Sequence, residues 1–200
     1  MPKPLTHLLY LHGFRSSPQS QKAQIMAHYM AHQQPQLHWW CPQLPPSPHE
    51  AMALLLAGTA DWPRASMAVI GSSLGGFYAT CLAEKTGCRV VLLNPAVNPA
   101  RDLEKHIGEQ TNWHDSQSRF FFQPEFVQQL RDLTDTTLRH PERTLAVIAQ
   151  GDEVLDWREM QTRYAGASLR LIAGSNHGLS DFELHLPAVL AFLDLAPVKI

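Results

Sequence analysis

Gly71-Ser72-Ser73-Leu74-Gly75 sets a serine hydroxyl between two glycines, directly after the apolar run Met67-Ala68-Val69-Ile70. The spacing G-x-S-x-G is the sequence form of a nucleophile elbow, a strained strand-to-helix turn that lifts a serine above a sheet. A serine hydroxyl is a weak nucleophile unless a base takes its proton. An imidazole titrates near neutral pH and suits that task, and His177 stands between Gly174 and Gly178. A carboxylate must then hold the ring in one tautomer and stabilise the imidazolium. Asp152 and Asp156 compete for this role. Asp152 follows an apolar run and Gly151, where a rigid strand end fixes it. Asp156 precedes Trp157-Arg158-Glu159, where a carboxylate caps a helix. Asp152 is therefore the expected acid.

An attacked carbonyl becomes an oxyanion that needs preorganised donors. The expected donors are the backbone N–H of Leu74, next after the nucleophile, and that of Phe14, in the loop His12-Gly13-Phe14. His12 reads equally as a loop-shaping hydrogen-bonder or as a participant. Arg15 reads as a solvated side chain, with contact to an anionic substrate as the alternative. Phe120, Phe121 and Trp113 are the candidate substrate-binding residues, with packing of their own segment as the plainer role. His28 and His32 have metal-compatible helical spacing, but no third ligand is evident, so a polar helix face is expected and no metal.

These residues need a scaffold that brings them together. Apolar runs near Leu5–Leu11, Leu37–Trp40, Met67–Ile70, Arg89–Leu93, Leu145–Ala149 and Leu169–Ile172 are short and do not alternate with polar residues. That pattern predicts buried parallel strands. Helical spacing fills the gaps at Ser20–Ala31, Glu50–Gly58, Leu74 onward to a stop at Gly87, and Phe182–Leu195. Cys41–Pro48, with four prolines, reads as irregular. The expected fold is α/β: a single domain over 1–200 with a mostly parallel six-stranded sheet and helices on both faces. The exception to the alternation is 96–142, a lid-like insertion with a helix at Pro124–Leu133.

In such a sheet all strand C-termini lie on one edge, where ligands bind. His12-Gly13-Phe14, Ser73, Asp152 and His177 each follow a strand end. The chain order Ser, Asp, His is that of the α/β-hydrolases.

The remaining composition narrows the function classes. The 200 residues carry a formal net charge of −2 and no Lys/Arg cluster, so no nucleic-acid footprint is expected. No apolar run reaches membrane-spanning length, and no secretion signal is read at the N-terminus. Cys41, Cys81 and Cys88 are odd in number and lack a C-x-x-C, which favours buried thiols in a reducing compartment.

Three stretches carry a closer likeness: Leu11-His12-Gly13-Phe14-Arg15-Ser16-Ser17-Pro18, Gly71–Thr80, and Gly151-Asp152-Glu153-Val154-Leu155-Asp156. They resemble the YqiA-type small bacterial esterases of the α/β-hydrolase superfamily, and the likeness runs along nearly the whole chain. It implies a compact cytoplasmic serine esterase with no cofactor, acting on small-molecule carboxylic esters or acyl thioesters. It also implies that the two leading antiparallel strands of larger relatives are missing. Acyl transfer or C–C hydrolysis with the same three residues is the alternative chemistry, and a catalytically idle binding module the alternative class.

Overall fold

The computed structural model describes residues 3–113, 115–134 and 137–196. Residues 114, 135 and 136, inside the stretch read as an insertion, lie outside the described residues.

The apolar runs form strands β1 (His7–Leu11), β2 (His38–Trp40), β3 (Met67–Ser72) and β4 (Arg89–Leu93). After these come β5 (Gly108–Asn112), β6 (Asp115–Phe122), β7 (Thr144–Ala149) and β8 (Ser168–Ile172). The helices are α1 (Gln21–Gln33), α2 (Pro48–Gly58), α3 (Leu74–Thr86), α4 (Pro99–Glu104), α5 (Pro124–Leu133), α6 (Trp157–Arg163) and α7 (Phe182–Phe192). Six strands pair in the order β2-β1-β3-β4-β7-β8. Every pairing in this sheet is parallel. The expected α/β fold, with helices on both faces of a six-stranded sheet, is what the chain adopts.

Strand side chains alternate between the two faces, and the core divides accordingly. Leu9, Leu11, Val69, Val90, Leu92, Ala146 and Ile148 face α2, α3 and α5. Leu8, Tyr10, Ala68, Ile70, Val91, Leu93 and Val147 face α1 and α7. Both sets are buried, which is why the strands read as unbroken apolar runs. Each fully buried Leu, Ile or Val contributes about 1.5–3 kcal/mol over its exposed state. The central strands therefore form a stiff platform for the loops at their ends.

Element ends depart from the sequence reading where local chemistry decides them. Cys41–Pro48 was expected to hold no regular structure, yet Pro48 opens α2. The Ser47 hydroxyl accepts from the Glu50 N–H at 3.3 Å, and proline suits the first helical position. The closing helix ends at Phe192, short of Leu195. β8 is an edge strand, half-exposed along its length, with Leu169 and Leu171 partly in solvent. Within 96–142, α5 spans Pro124–Leu133 as expected, but α4 and the antiparallel hairpin β5–β6 are additional.

Candidate active site

Strand register sets which loops meet. Leu11 pairs with Gly71 and Ser72 with Leu93, so the loop after β1 lies beside Ser73. Ala149 pairs with Ile172, so the loops after β7 and β8 are also neighbours. Those two loops are joined by the Gly151 N–H donating to the Gly174 carbonyl at 3.0 Å.

Ser73 sits at φ 56°, ψ −121°, a region L-residues rarely occupy. Its carbonyl accepts from the Gly76 and Ala96 N–H groups at 2.9 and 3.0 Å, which holds the turn. The flanking glycines are sterically required. A Cβ on Gly71 would lie 2.2 Å from the Gly75 carbonyl oxygen, and one on Gly75 would lie 2.2 Å from that of Leu11. Both obstacles are backbone and cannot swing away. Gly75→Ala should therefore destabilise the fold by about 3 kcal/mol. A thermal melt reads this as a drop of roughly 6–12 °C.

The three expected residues come together. The His177 Nδ1–H donates to Asp152 Oδ2 at 2.8 Å, and the Ser73 hydroxyl donates to His177 Nε2 at 3.0 Å. The tautomer follows from the partners, since an ionised carboxylate only accepts. The Asp152 side chain is fully buried and that of His177 is 20% exposed. Asp152 Oδ1 accepts from the Val154 and Leu155 N–H groups at 2.9 and 2.8 Å. The buried carboxylate is thus satisfied on both oxygens. Asp156 instead caps α6, accepting from the Arg158 N–H at 2.9 Å. Such a chain lets the imidazole take the serine proton while the carboxylate fixes the ring.

Leu74 is the first residue of α3, so its N–H has no acceptor within the helix and lies at the positive end of the helix dipole. The Phe14 loop reaches Ser73 as well, and a Cβ on Gly13 would lie 3.2 Å from Ser73 Cβ. His12 shapes this loop. Its Nε2 accepts from the Leu44 N–H at 3.1 Å, so Nδ1 carries the proton and donates to the Gly13 carbonyl at 3.0 Å.

Arg15 is not simply solvated. Its Nε–H donates to the Thr111 carbonyl at 2.7 Å, its guanidinium lies 4.2 Å from the centre of the Trp113 ring, and its carbonyl accepts from the Trp113 N–H at 2.8 Å. It pins the β5–β6 hairpin to the loop after β1. Phe14 adds to this junction through ring contacts with Phe120 and Phe122.

Ser73 and His177 open on a cavity of about 610 Å³, with Trp113 on its wall. A second cavity of about 750 Å³ lies across the Phe14 loop and has Phe120 on its wall. The three aromatic candidates therefore separate. Trp113 faces the Ser73 cavity, Phe120 faces the neighbouring one, and Phe121 lies outside both, 52% exposed. Strand alternation explains the last point, since Phe120 and Phe122 turn inward and Phe121 outward.

His28 and His32 stack at 4.1 Å between ring centres. Among the described residues no group of three metal-ligating side chains occurs. Burial raises the Cys41 thiol to about 12 and the Cys88 thiol to about 11. All three cysteines are free.

Three residues of the site were not read from sequence as functional. Asn94 looked like a strand stop. It is buried at φ 43°, its Oδ1 accepts from the Ala149 N–H at 2.8 Å, and its Nδ2 donates to the Asn176 and His177 carbonyls at 3.0 Å each. It joins the ends of β4 and β7 to the His177 loop. Glu153 accepts from the His177 N–H at 3.0 Å. Lys22, from α1, lines the Ser73 cavity. An asparagine at a strand end whose only visible role is to stop it was the available signal for Asn94. Lys22 is 51 residues from Ser73 in sequence and carried none.

The sequence matches the profile of the uncharacterised protein family UPF0227 over residues 7–194. The chain belongs to this family. It is the YqiA-like family to which the three motif stretches pointed. Solved structures share its fold along nearly the full length. One of the metagenome-derived lipolytic enzymes LipS and LipT superposes with a TM-score of 0.70 at 17% identity, over 96% of this chain and 95% of its own. Est1E from Butyrivibrio proteoclasticus gives 0.69 at 15%, over 96% and 88%. Mouse alpha/beta hydrolase domain-containing protein 10 gives 0.67 at 14%, over 96% and 90%. At these identities the likeness is one of fold, and the fold of this UPF0227 protein is that of the α/β-hydrolase superfamily. Among its described residues no helix is long and apolar enough to cross a membrane.

Proposed function

We propose that this protein is a serine hydrolase that cleaves carboxylic esters or acyl thioesters through an acyl-Ser73 intermediate. The observation that carries this is the unbroken hydrogen-bond chain from Asp152 through His177 to the strained Ser73. Ser73 Oγ attacks the substrate carbonyl carbon as its proton passes to His177 Nε2. The N–H groups of Leu74 and Phe14 hold the oxyanion. The tetrahedral adduct collapses, the bond to the leaving oxygen or sulfur breaks, and the imidazolium returns its proton to the leaving group. Water then attacks the acyl-serine with His177 as base, and the carboxylic acid departs. Throughout, Asp152 stays ionised and holds the ring.

The hairpin β5–β6 serves as the cap of this site. Arg15 and the Phe14 cluster fasten it over the loop after β1, and it presents Trp113 to the cavity. The cap sets the acyl group accepted. The free thiols suit a reducing compartment such as the cytoplasm, which is the location that goes with this reading.

A panel of p-nitrophenyl esters from acetate to decanoate tests the assignment. Saturable turnover is expected, and rates no higher than buffer across the panel refute it. Within the panel, Trp113→Ala should raise KM for the longer chains by roughly 10-fold with little change for acetate. Phe121→Ala, outside both cavities, should leave the profile unchanged.

A further inference from the structure

His177 stands on the least anchored of the strands that build the site. Its loop leaves β8, the half-exposed edge strand, and passes Gly174 at φ 80°, Ser175 at φ 58° and Leu179 at φ 47° before α7 begins. The acid and the nucleophile follow the buried strands β7 and β3. A base must still be held closely against both partners, because a misplacement of about 1 Å costs on the order of 100-fold in rate.

Asn94 ties that loop to the middle of the sheet. It follows Leu93, whose carbonyl accepts from the Ser73 N–H at 3.0 Å, and its own N–H donates to the Val147 carbonyl at 3.0 Å. The backbone turns there at φ 43°, a region asparagine enters more readily than most residues. The side chain then meets both neighbouring loops. Oδ1 accepts from the N–H of Ala149, the last residue of β7, at 2.8 Å, and Nδ2 donates to the Asn176 and His177 carbonyls at 3.0 Å each. The amide lies only one way round. Reversed, it would set its oxygen against two carbonyls and its NH₂ against an N–H. Asn94 is fully buried, so these bonds form away from water, where a lost partner costs most. The His177 backbone is thereby held on both sides, its carbonyl by Asn94 and its N–H by Glu153 at 3.0 Å. On the acid side, the Asp152 N–H donates back to the Ala149 carbonyl at 3.3 Å. A single amide thus joins the strand ends that carry acid and base, one residue from the carbonyl that holds the Ser73 N–H.

We propose that Asn94 is a positioning residue for the reaction above: its carboxamide fixes the His177 backbone relative to Asp152 and Ser73, so that Nε2 meets the serine hydroxyl. This rests on the reading of His177 as the base of an acyl-Ser73 reaction. Asn94 lines neither the Ser73 cavity nor the one beside it, so it acts through the loop and not on the substrate. Its loss should therefore appear in kcat and not in KM. A buried hydrogen bond that serves the fold alone gives the contrast. The Thr80 and Tyr164 hydroxyls, on α3 and at the end of α6, pair at 3.0 Å and line neither of those two cavities.

The test is kcat and KM for p-nitrophenyl butyrate, per folded chain, in wild type, Asn94→Asp, Asn94→Gly and Tyr164→Phe, with thermal midpoints measured alongside. Asn94→Asp keeps the size and the acceptor for Ala149, but it turns an oxygen toward the two carbonyls that had a donor. Its kcat should fall by roughly 10–100-fold, with KM within about twofold of wild type. Asn94→Gly suits the positive φ and removes the tie without that repulsion, so its kcat should fall by roughly 10-fold. Fluorophosphonate capture at Ser73 should slow in step with kcat in both variants, because it draws on the same base. Tyr164→Phe should lower the midpoint and leave kcat per folded chain unchanged. Wild-type kcat in Asn94→Asp overturns the proposal, as does a loss confined to KM or to the midpoint. An equal fall of kcat in Tyr164→Phe overturns it too, since any lost buried hydrogen bond would then do the same. If Asn94→Asp does not fold, Asn94→Gly decides by the same measures. If Ser73→Ala still turns over the ester, the underlying reading fails. If Ser73→Ala is inactive and the Asn94 variants keep wild-type kcat, only the role of Asn94 fails.

Discussion

Ser73→Ala should lower kcat for p-nitrophenyl butyrate by about 10⁵–10⁶, to the background of the buffer. The size follows from the mechanism, because without Oγ no acyl-enzyme forms and His177 has no proton to take. The fold should survive. Among the described residues the Ser73 hydroxyl donates to His177 alone, and the turn is held by backbone bonds to Gly76 and Ala96. Its thermal midpoint should stay within a few degrees of wild type, as for substitutions that empty no core volume. A steady-state assay with a melt on the same preparation checks both parts.

Asp152→Asn should cost about 10⁴ in kcat, and Asp156→Asn almost nothing. The contacts of Asp152 explain the contrast. Its Oδ1 accepts from two backbone N–H groups, so an asparagine must place its amide oxygen there. The amide NH₂ then faces His177 Nδ1 as a donor. The ring is forced to carry its proton on Nε2, facing Ser73, and can no longer accept the serine proton. Asp156 only caps α6, and asparagine caps as well as aspartate. Kinetics of the two variants under one condition separate them. The reverse ranking would move the acid role to Asp156.

How far the sequence could be read depended on whether one segment carried its own reason. Ser73 and Asp152 follow apolar runs that form buried strands, and His177 follows the half-exposed edge strand β8, so parallel topology brought all three to one edge without any contact being known. Asp152 was separable from Asp156 because a strand end and a helix cap have different sequence contexts. The β5–β6 hairpin was missed because it stands off the main sheet. Gly108–Asn112 is polar on both faces and its ion pair, Arg119 to Glu109 at 2.7 Å, is on the surface. No period-2 apolar pattern survives there to mark a strand. The outward turn of Phe121 was hidden for the same reason, since three successive phenylalanines give no sidedness until the strand is known. Arg15 was misread because its partners, Thr111 and Trp113, arrive from that unread hairpin. Lys22 and Asn94 reach the His177 loop through tertiary contacts alone, and those contacts exist only in the assembled fold.

The central claim is that Ser73 is an activated nucleophile, and covalent capture tests it most directly. Folded protein is treated with a fluorophosphonate and digested, and the peptide carrying Ser73 is weighed. The account predicts one adduct per chain on Ser73, absent from Ser73→Ala and strongly slowed in Asp152→Asn. Folded wild-type protein that stays unlabelled at Ser73 would contradict it and point to a binding module that keeps the geometry without the chemistry.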